Sequence, residues 1–262
     1  MKRDRFDLPQ LARSGLIERL EFHQSLASTN DRAAALAAEE WLACPALVLA
    51  QEQTAGRGRG SNRWWSVPGS LMFSLIISGS PGELGPAQWP GFSLVAGLAV
   101  CEALASHCLA ADIAVKWPND VYANERKICG ILIESPAPAR GRMIVGIGVN
   151  VNNSFADAPE ELRDSATALC DVDGQPHDLT DVLRSILGSL DQRWQQLREQ
   201  GFSSLRQEWR DRSLLTGRIV QLQAGAQRHT GRCLGIDDDG ALLLQTERGR
   251  QSFHAGSIVS FE

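Results

Sequence analysis

Eight consecutive residues, Gln53-Thr54-Ala55-Gly56-Arg57-Gly58-Arg59-Gly60, carry the densest chemical signal in the chain. Alternating glycine lets a backbone approach a ligand closely, while guanidinium groups wrap an anion. With Arg63, three arginines fall within seven residues of a chain whose net charge is −5. That pattern fits a local anion site, and it also fits a solvated or RNA-binding Arg-Gly segment. No Gly-Lys-Ser/Thr follows, so this is not a Walker phosphate loop, and it does not open a helix as a dinucleotide fingerprint does. A second cluster, Lys116-Trp117-Pro118-Asn119-Asp120, sets a lysine, an amide and a carboxylate on one turn. Such a lysine can hold phosphate oxygens and such an Asp can hold Mg²⁺; a plain Asx-bonded turn uses the same residues.

Three shorter signals accompany these. Lys127 leads the apolar run KICGILIE (127–134), where Gly130 leaves room for a flat ligand against a sheet. A solvated edge lysine is the ordinary alternative. Gly146-Ile147-Gly148-Val149-Asn150 joins two glycines to a short amide, which suits a ligand or close backbone packing. Ser28 and Asp31 flank Thr29-Asn30 at capping-box spacing, so this stretch caps a helix, faces a ligand, or does both.

The elements that must position these residues alternate between strand and helix. LEFH (20–23), ALVLAQ (46–51), LMFSLII (71–77), IAVKW (113–117), KICGILIE (127–134) and MIVGIGVNV (143–151) read as strands. Helices are expected over 32–43, 92–105 and 180–197, the last with Thr180 as its N-cap. After about Leu214 the helical spacing gives way to RIVQLQ (218–223), TGRCLGI (230–236), ALLLQT (241–246) and SIVSF (257–261). Asp237-Asp238-Asp239-Gly240 is a hairpin-turn signal between two of them. A small β-barrel of this length is marginal alone and is expected to pack on the larger part.

Composition sets the limits. Hydrophobic residues make 43% of the 262 and charged residues 22%, which excludes a largely disordered chain. The negative net charge argues against non-specific nucleic-acid binding. No apolar run reaches the ~18 residues of a membrane helix, and no secretory h-region follows the first residues, so a cytoplasmic location without a membrane partner is expected. Cys44, Cys101, Cys108, Cys129, Cys170 and Cys233 form no Cys-x-x-Cys pair and read as small buried hydrophobes.

Taken in order, Ser-Thr-Asn, Gln-x-x-Gly-Arg-Gly-Arg, Lys-Trp-Pro-Asn-Asp, Lys-x-x-Gly-Ile-Leu-x-Glu and Gly-Ile-Gly-x-Asn-x-Asn resemble the biotin–protein ligases. The resemblance runs from about residue 20 to the C-terminus, where GIDDDGALLL (235–244) looks like the family's hairpin. It implies an α+β fold: a catalytic domain over 1–213, with a mixed sheet and helices on one side, then an SH3-like barrel over 214–262. It implies formation of biotinyl-5′-AMP from biotin and ATP with Mg²⁺. The biotinyl group then passes to one lysine of a biotin carboxyl carrier domain. By resemblance, Ser28, Thr29, Asn30 and Gln53 line the biotin pocket, and Gly130 and Leu132 complete its apolar wall. Gly56, Arg57, Gly58 and Arg59 belong to the loop that closes over the biotin carboxylate and the adenylate phosphate. Lys127 contacts carboxylate and α-phosphate, Lys116, Asn119 and Asp120 serve the ATP phosphates and Mg²⁺, and Asn150 helps to hold adenine. Lys127, Arg59 and Asp120 are therefore the expected catalytic residues.

The chain departs from the family at three places. Gly60-Ser61-Asn62 replaces a further Gly-Arg pair, Ala166 stands where an aromatic ring sometimes stacks on adenine, and Ser257 takes a position that is often acidic. A lipoate–protein ligase shares the fold and the acyl-adenylate chemistry, but the Gly-Arg-Gly-Arg loop argues against it. Intact Lys127 and Asp120 argue against a non-catalytic biotin-binding module. A biotin-responsive repressor needs a helix-turn-helix, and the 27 residues before Ser28 are too few for one, so DNA is not an expected partner. The resemblance allows a monomer or a weak homodimer.

Overall fold

Apolar strands covered on both faces make the centre of the larger sheet. β2 (Ala46–Ala50) is buried throughout, and so is most of β3 (Ser70–Ser78). These pair antiparallel, and β1 (Arg19–His23) adds to β2 in parallel. β7 (Arg142–Asn150), β6 (Arg126–Glu134), β5 (Asp120–Ala123) and β4 (Ile113–Lys116) follow antiparallel, giving the order β1-β2-β3-β7-β6-β5-β4. The computed structural model describes residues 5–78, 89–135 and 141–262.

Alternation along these strands sends Leu47, Leu49, Phe73, Val145 and Ile147 into one core, with α3 (Trp89–His107) and α6 (Leu179–Gln200) over them. Ala46, Val48, Ile76 and Ile144 point the other way and pack against α2 (Thr29–Ala37). The expectation of helices on one side is thus corrected. A strand apolar at every position must be covered twice, and α2 supplies the second cover.

Two local expectations also change. The Ala-rich helix was expected over 32–43, but α2 ends at Ala37 because buried Arg142 takes the carbonyls beyond it. Its guanidinium donates to the oxygens of Ala37 (2.7 Å), Glu39 (2.5 Å), Glu40 (3.3 Å) and Leu42 (3.2 Å). The cap of α6 is Asp178, not Thr180: its carboxylate accepts from the Thr180 and Asp181 amides at 2.8 and 3.1 Å. The Thr180 hydroxyl instead accepts from the Asp7 amide at 2.9 Å, ahead of α1 (Leu8–Ala12).

Short helices α4 (Glu160–Ser165), α5 (Leu169–Asp173) and α7 (Ser203–Asp211) lead to the last part of the chain. There β8 (Ile219–Ala224), β9 (Gln227–Ile236), β10 (Leu242–Thr246), β11 (Gly249–Phe253) and β12 (Ser257–Phe261) form an antiparallel sheet in the order β11-β10-β9-β8-β12. Gly240, at φ +80°, closes the Asp-rich turn, where the Asp237 amide donates to Ala241 O at 3.0 Å. β11 went unforeseen because GRQSF carries no apolar alternation. Val220, Leu222, Cys233, Leu242 and Leu244 join the core that holds Trp209 and Val115, so the small sheet is packed against the large part.

All six cysteines are free thiols, and Cys101, Cys108, Cys129 and Cys233 are buried. Burial pushes the Cys101 thiol up to about 11, away from reactive thiolate. Among the described residues, no helix is long and apolar enough to cross a membrane.

Candidate active site

The backbone of β6 and β7 is laid bare at three glycines, and a cavity of about 230 Å³ lies over them. A Cβ on Gly146 would fall 2.0 Å from Asn30 Oδ1, and one on Gly148 would fall 2.5 Å from the Trp64 indole. Both positions must be glycine for those side chains to reach the sheet. Gly130 is similarly close, its Cβ position lying 3.1 Å from Trp64.

The start of α2 makes an uncharged polar wall. Ser28 stands at the N-cap but its side chain makes no cap hydrogen bond, so the capping box does not form. Asp31 instead meets Arg57 Nη2 at 2.8 Å. Gln53 Oε1 accepts from the Thr29 amide (2.7 Å) and the Thr29 hydroxyl (3.1 Å), which fixes Gln53 from the β2 end of the cavity. Asn30 is buried: Ser74 Oγ donates to its Oδ1 at 2.6 Å, and its Nδ2 donates to Glu134 at 2.7 Å and to Leu132 O at 3.3 Å. That wall can hold a neutral group rich in donors and acceptors, which is what a urea-type head offers.

The side built from β4, β5 and β6 is charged. Lys127 Nζ lies 2.6 Å from Asp120 Oδ1. Lys116 Nζ donates to the Tyr122 hydroxyl at 3.0 Å and sits over the rings of Tyr122 and, from β12, Phe261. Burial lowers the Lys116 ammonium from its ordinary value; Asp120 opposes this and Lys127 reinforces it. The Asn119 amide donates to Ile131 O at 2.8 Å, and the Trp117 indole donates to Gly240 O at 3.2 Å. The latter ties the KWPND turn to the Asp-rich hairpin.

Between the two walls the Gly-Arg segment folds back on itself. The Gly58 amide donates to Asn62 O (2.8 Å) and the Trp64 amide to Gly56 O (3.0 Å). Two of its arginines pair with other parts of the protein. Arg57 forks onto Glu134 at 2.9 and 2.7 Å, and Arg59 donates to Gly256 O and, at 3.0 Å, to Ser257 Oγ. Burial lowers the Arg59 guanidinium, with Asp120 opposing.

Thirteen of the sequence-derived candidates line this one cavity: Ser28, Thr29, Asn30, Gln53, Arg57, Gly58, Arg59, Lys116, Asn119, Asp120, Lys127, Gly130 and Leu132. Gly56 and Asn150 do not. Gly56 lies beneath the loop, where a Cβ would meet Ser66 Oγ at 2.9 Å, and Asn150 is buried at the end of β7, accepting from Asn153 at 3.3 Å. Sequence reasoning missed Trp64 and Glu134 as site residues. The signals were present: a tryptophan directly after the Gly-Arg segment, and one carboxylate closing an apolar strand.

Asp120 pairs with Lys127 on the cationic wall, and the described residues hold no group of three or more His, Cys, Asp or Glu placed to hold a metal ion. A single carboxylate suits Mg²⁺ carried in on substrate phosphates, because that ion keeps waters and needs few protein ligands.

Residues 23–152 match the biotin/lipoate A/B protein ligase family, and residues 215–259 match the biotin protein ligase C terminal domain. The chain is 36% identical over 239 residues to the "Biotin--[acetyl-CoA-carboxylase] ligase" of Paracoccus denitrificans, covering 88% of this chain and 96% of that one. It is also 36% identical over 216 residues to the "Bifunctional ligase/repressor BirA" of Bacillus spizizenii, there covering 81% of this chain and 65% of that one. Among solved structures it superposes on the biotin protein ligase of Aquifex aeolicus in complex with biotin and ATP. The TM-score is 0.81 at 32% identity, over 94% of this chain and 99% of that one.

Proposed function

The chain belongs to the biotin protein ligases of the biotin/lipoate A/B protein ligase family, and on that premise we propose how its residues share the reaction. The enzyme condenses biotin with ATP to biotinyl-5′-AMP and passes the biotinyl group to a lysine of a biotin carboxyl carrier protein. One observation carries the reading: a neutral wall (Ser28, Thr29, Gln53) and a cationic wall (Lys116, Lys127, Arg59) face one cavity. That suits a substrate with an uncharged polar head and an anionic tail, joined to a nucleotide.

In the first step a carboxylate oxygen of biotin attacks the α-phosphorus of ATP and pyrophosphate leaves. Two anions must meet, so cations fixed in place lower the barrier. Lys127, held by Asp120, contacts the carboxylate and the α-phosphate, while Lys116 and Asn119 hold the ATP phosphates. Mg²⁺, when bound, supplies further neutralisation of those phosphates, and Asp120 is the residue that would hold it. In the second step the carrier amine attacks the acyl carbon, AMP leaves, and the amine gives up a proton. A mixed anhydride hydrolyses readily, so residues 56–63 shield it from water. Gly56 supports that loop from beneath. Asn150 aids the adenine site through its bond with Asn153, not from the cavity wall.

The catalytic unit spans 1–213 and the SH3-like unit 214–262, a division supported by two sheets that share no strand. The enzyme works in the cytoplasm as a monomer or weak homodimer. DNA is not a partner, in keeping with the net charge of −5; a footprint at physiological salt would overturn that. The deciding experiment mixes the protein with ATP, Mg²⁺, biotin and a carrier domain, and follows the mass of the acceptor lysine. Pyrophosphate release with lipoate but not biotin would overturn the reading in favour of a lipoate ligase.

A further inference from the structure

We propose that Glu134 is a positioning residue for the biotin head, joining the Gly-Arg loop at Arg57 to the buried amide of Asn30; this rests on the ligase reading above. Glu134 closes β6 just beyond the cavity wall at Leu132. Its Oε2 accepts from Asn30 Nδ2 at 2.7 Å and from Arg57 Nη2 at 2.7 Å, and its Oε1 accepts from Arg57 Nη1 at 2.9 Å. Three segments far apart in sequence thus meet at one carboxylate: the start of α2, the loop after β2, and the end of β6.

The two partners depend on it differently. Asn30 is oriented from both ends, by Ser74 on its oxygen and by Glu134 and Leu132 O on its nitrogen. Arg57 has the Asp31 carboxylate besides, at 2.8 Å. Glu134 is the main cause that raises the Arg57 guanidinium above its ordinary value. Removing Glu134 therefore leaves each partner a second contact and should spare the fold, since part-exposed ion pairs add little to stability. What it loses is the link that keeps the loop over the polar wall.

Charge and position predict opposite outcomes, which makes the idea testable. Biotin is an anion, so deleting a nearby negative charge should lower its KM if Glu134 acts only through its field. A positioning role raises it. Pyrophosphate release should show Glu134→Gln with biotin KM up about tenfold, the size of one lost charge-assisted hydrogen bond. The KM for ATP should stay within about twofold of wild type, and so should kcat. Arg57→Gln should raise biotin KM too, and the double variant should be no worse than the worse single one, because both break the same link. Unchanged or lower biotin KM in Glu134→Gln, or effects of the two changes that multiply, would overturn the proposal. Glu134→Ala serves as a second variant, and thermal melts of all variants exclude misfolding as the cause. Wild-type transfer to a carrier lysine runs alongside: its failure would count against the ligase reading, whereas normal wild-type transfer with an unaltered Glu134→Gln counts against Glu134 alone.

Discussion

The Lys127 ammonium lies 2.6 Å from the Asp120 carboxylate across the β5–β6 pair. Strand register brings them together: Asp120 lies opposite Gly130, and a register shift between Val121 and Tyr122 sets Lys127 opposite Tyr122, two residues along the strand from Asp120. A lysine held this way needs little reorganisation when substrate charge arrives, which is the condition for electrostatic catalysis. Lys127→Ala should accordingly lower adenylation by about 100-fold or more, the cost of a lost transition-state donor. Single-turnover pyrophosphate release measures this. A normal rate would remove Lys127 from the reaction even if the family assignment stands.

Arg59 reaches out of the loop to Gly256 O and Ser257 Oγ at the start of β12 in the small C-terminal unit. A loop anchored to a second element stays closed longer, so Arg59 should retain the adenylate more than it helps to form it. Arg59→Ala should still make biotinyl-AMP but release it early, and lysines of a bystander protein should then become modified. Mapping those lysines by mass spectrometry is the check; tight selectivity for the carrier lysine would refute the role.

Lys116 gives a pH prediction. Burial lowers its ammonium, so the charged form that binds phosphate is lost at a lower pH than in an exposed lysine. The alkaline limb of kcat/KM for ATP, which reports the free enzyme, should begin below the ordinary lysine range. Arginine keeps its charge throughout. In Lys116→Arg the limb should therefore move to higher pH, and a superimposable limb would assign it to another group.

Gly148 tests the sheet platform. A methyl group there would lie 2.5 Å from the Trp64 indole, so the ring must leave its seat. Gly148→Ala should cost about 1–3 kcal/mol of stability, as overpacking does, and should weaken biotin binding. Calorimetric melting and biotin titration read the two effects separately. An unchanged Tm together with unchanged affinity would show that the indole does not need this seat.

Much of this was legible in the sequence because it is local. Asp237 to Gly240 demanded a hairpin turn whatever surrounded it, and the largely apolar stretches at 46–51 and 143–151 demanded buried strands. The motifs lie far apart in the chain, and thirteen of the candidates line one cavity, contributed by the start of α2, the loop after β2, the β4–β5 turn and β6. Where the sequence reading failed, a distant group had intervened. Arg142 took the carbonyls that would have continued α2 beyond Ala37, and Asp178 displaced Thr180 as the cap of α6. Asn150 ends β7 with its oxygen accepting from Asn153, and it is not among the residues that line the cavity. Glu134 looked like the plain end of a strand until Arg57, 77 residues earlier in the chain, folded onto it. Spacing along the chain thus determined which residue types could come near one another. Which polar atoms actually pair was decided only by packing, because a buried donor can take only an acceptor that the tertiary fold leaves within reach.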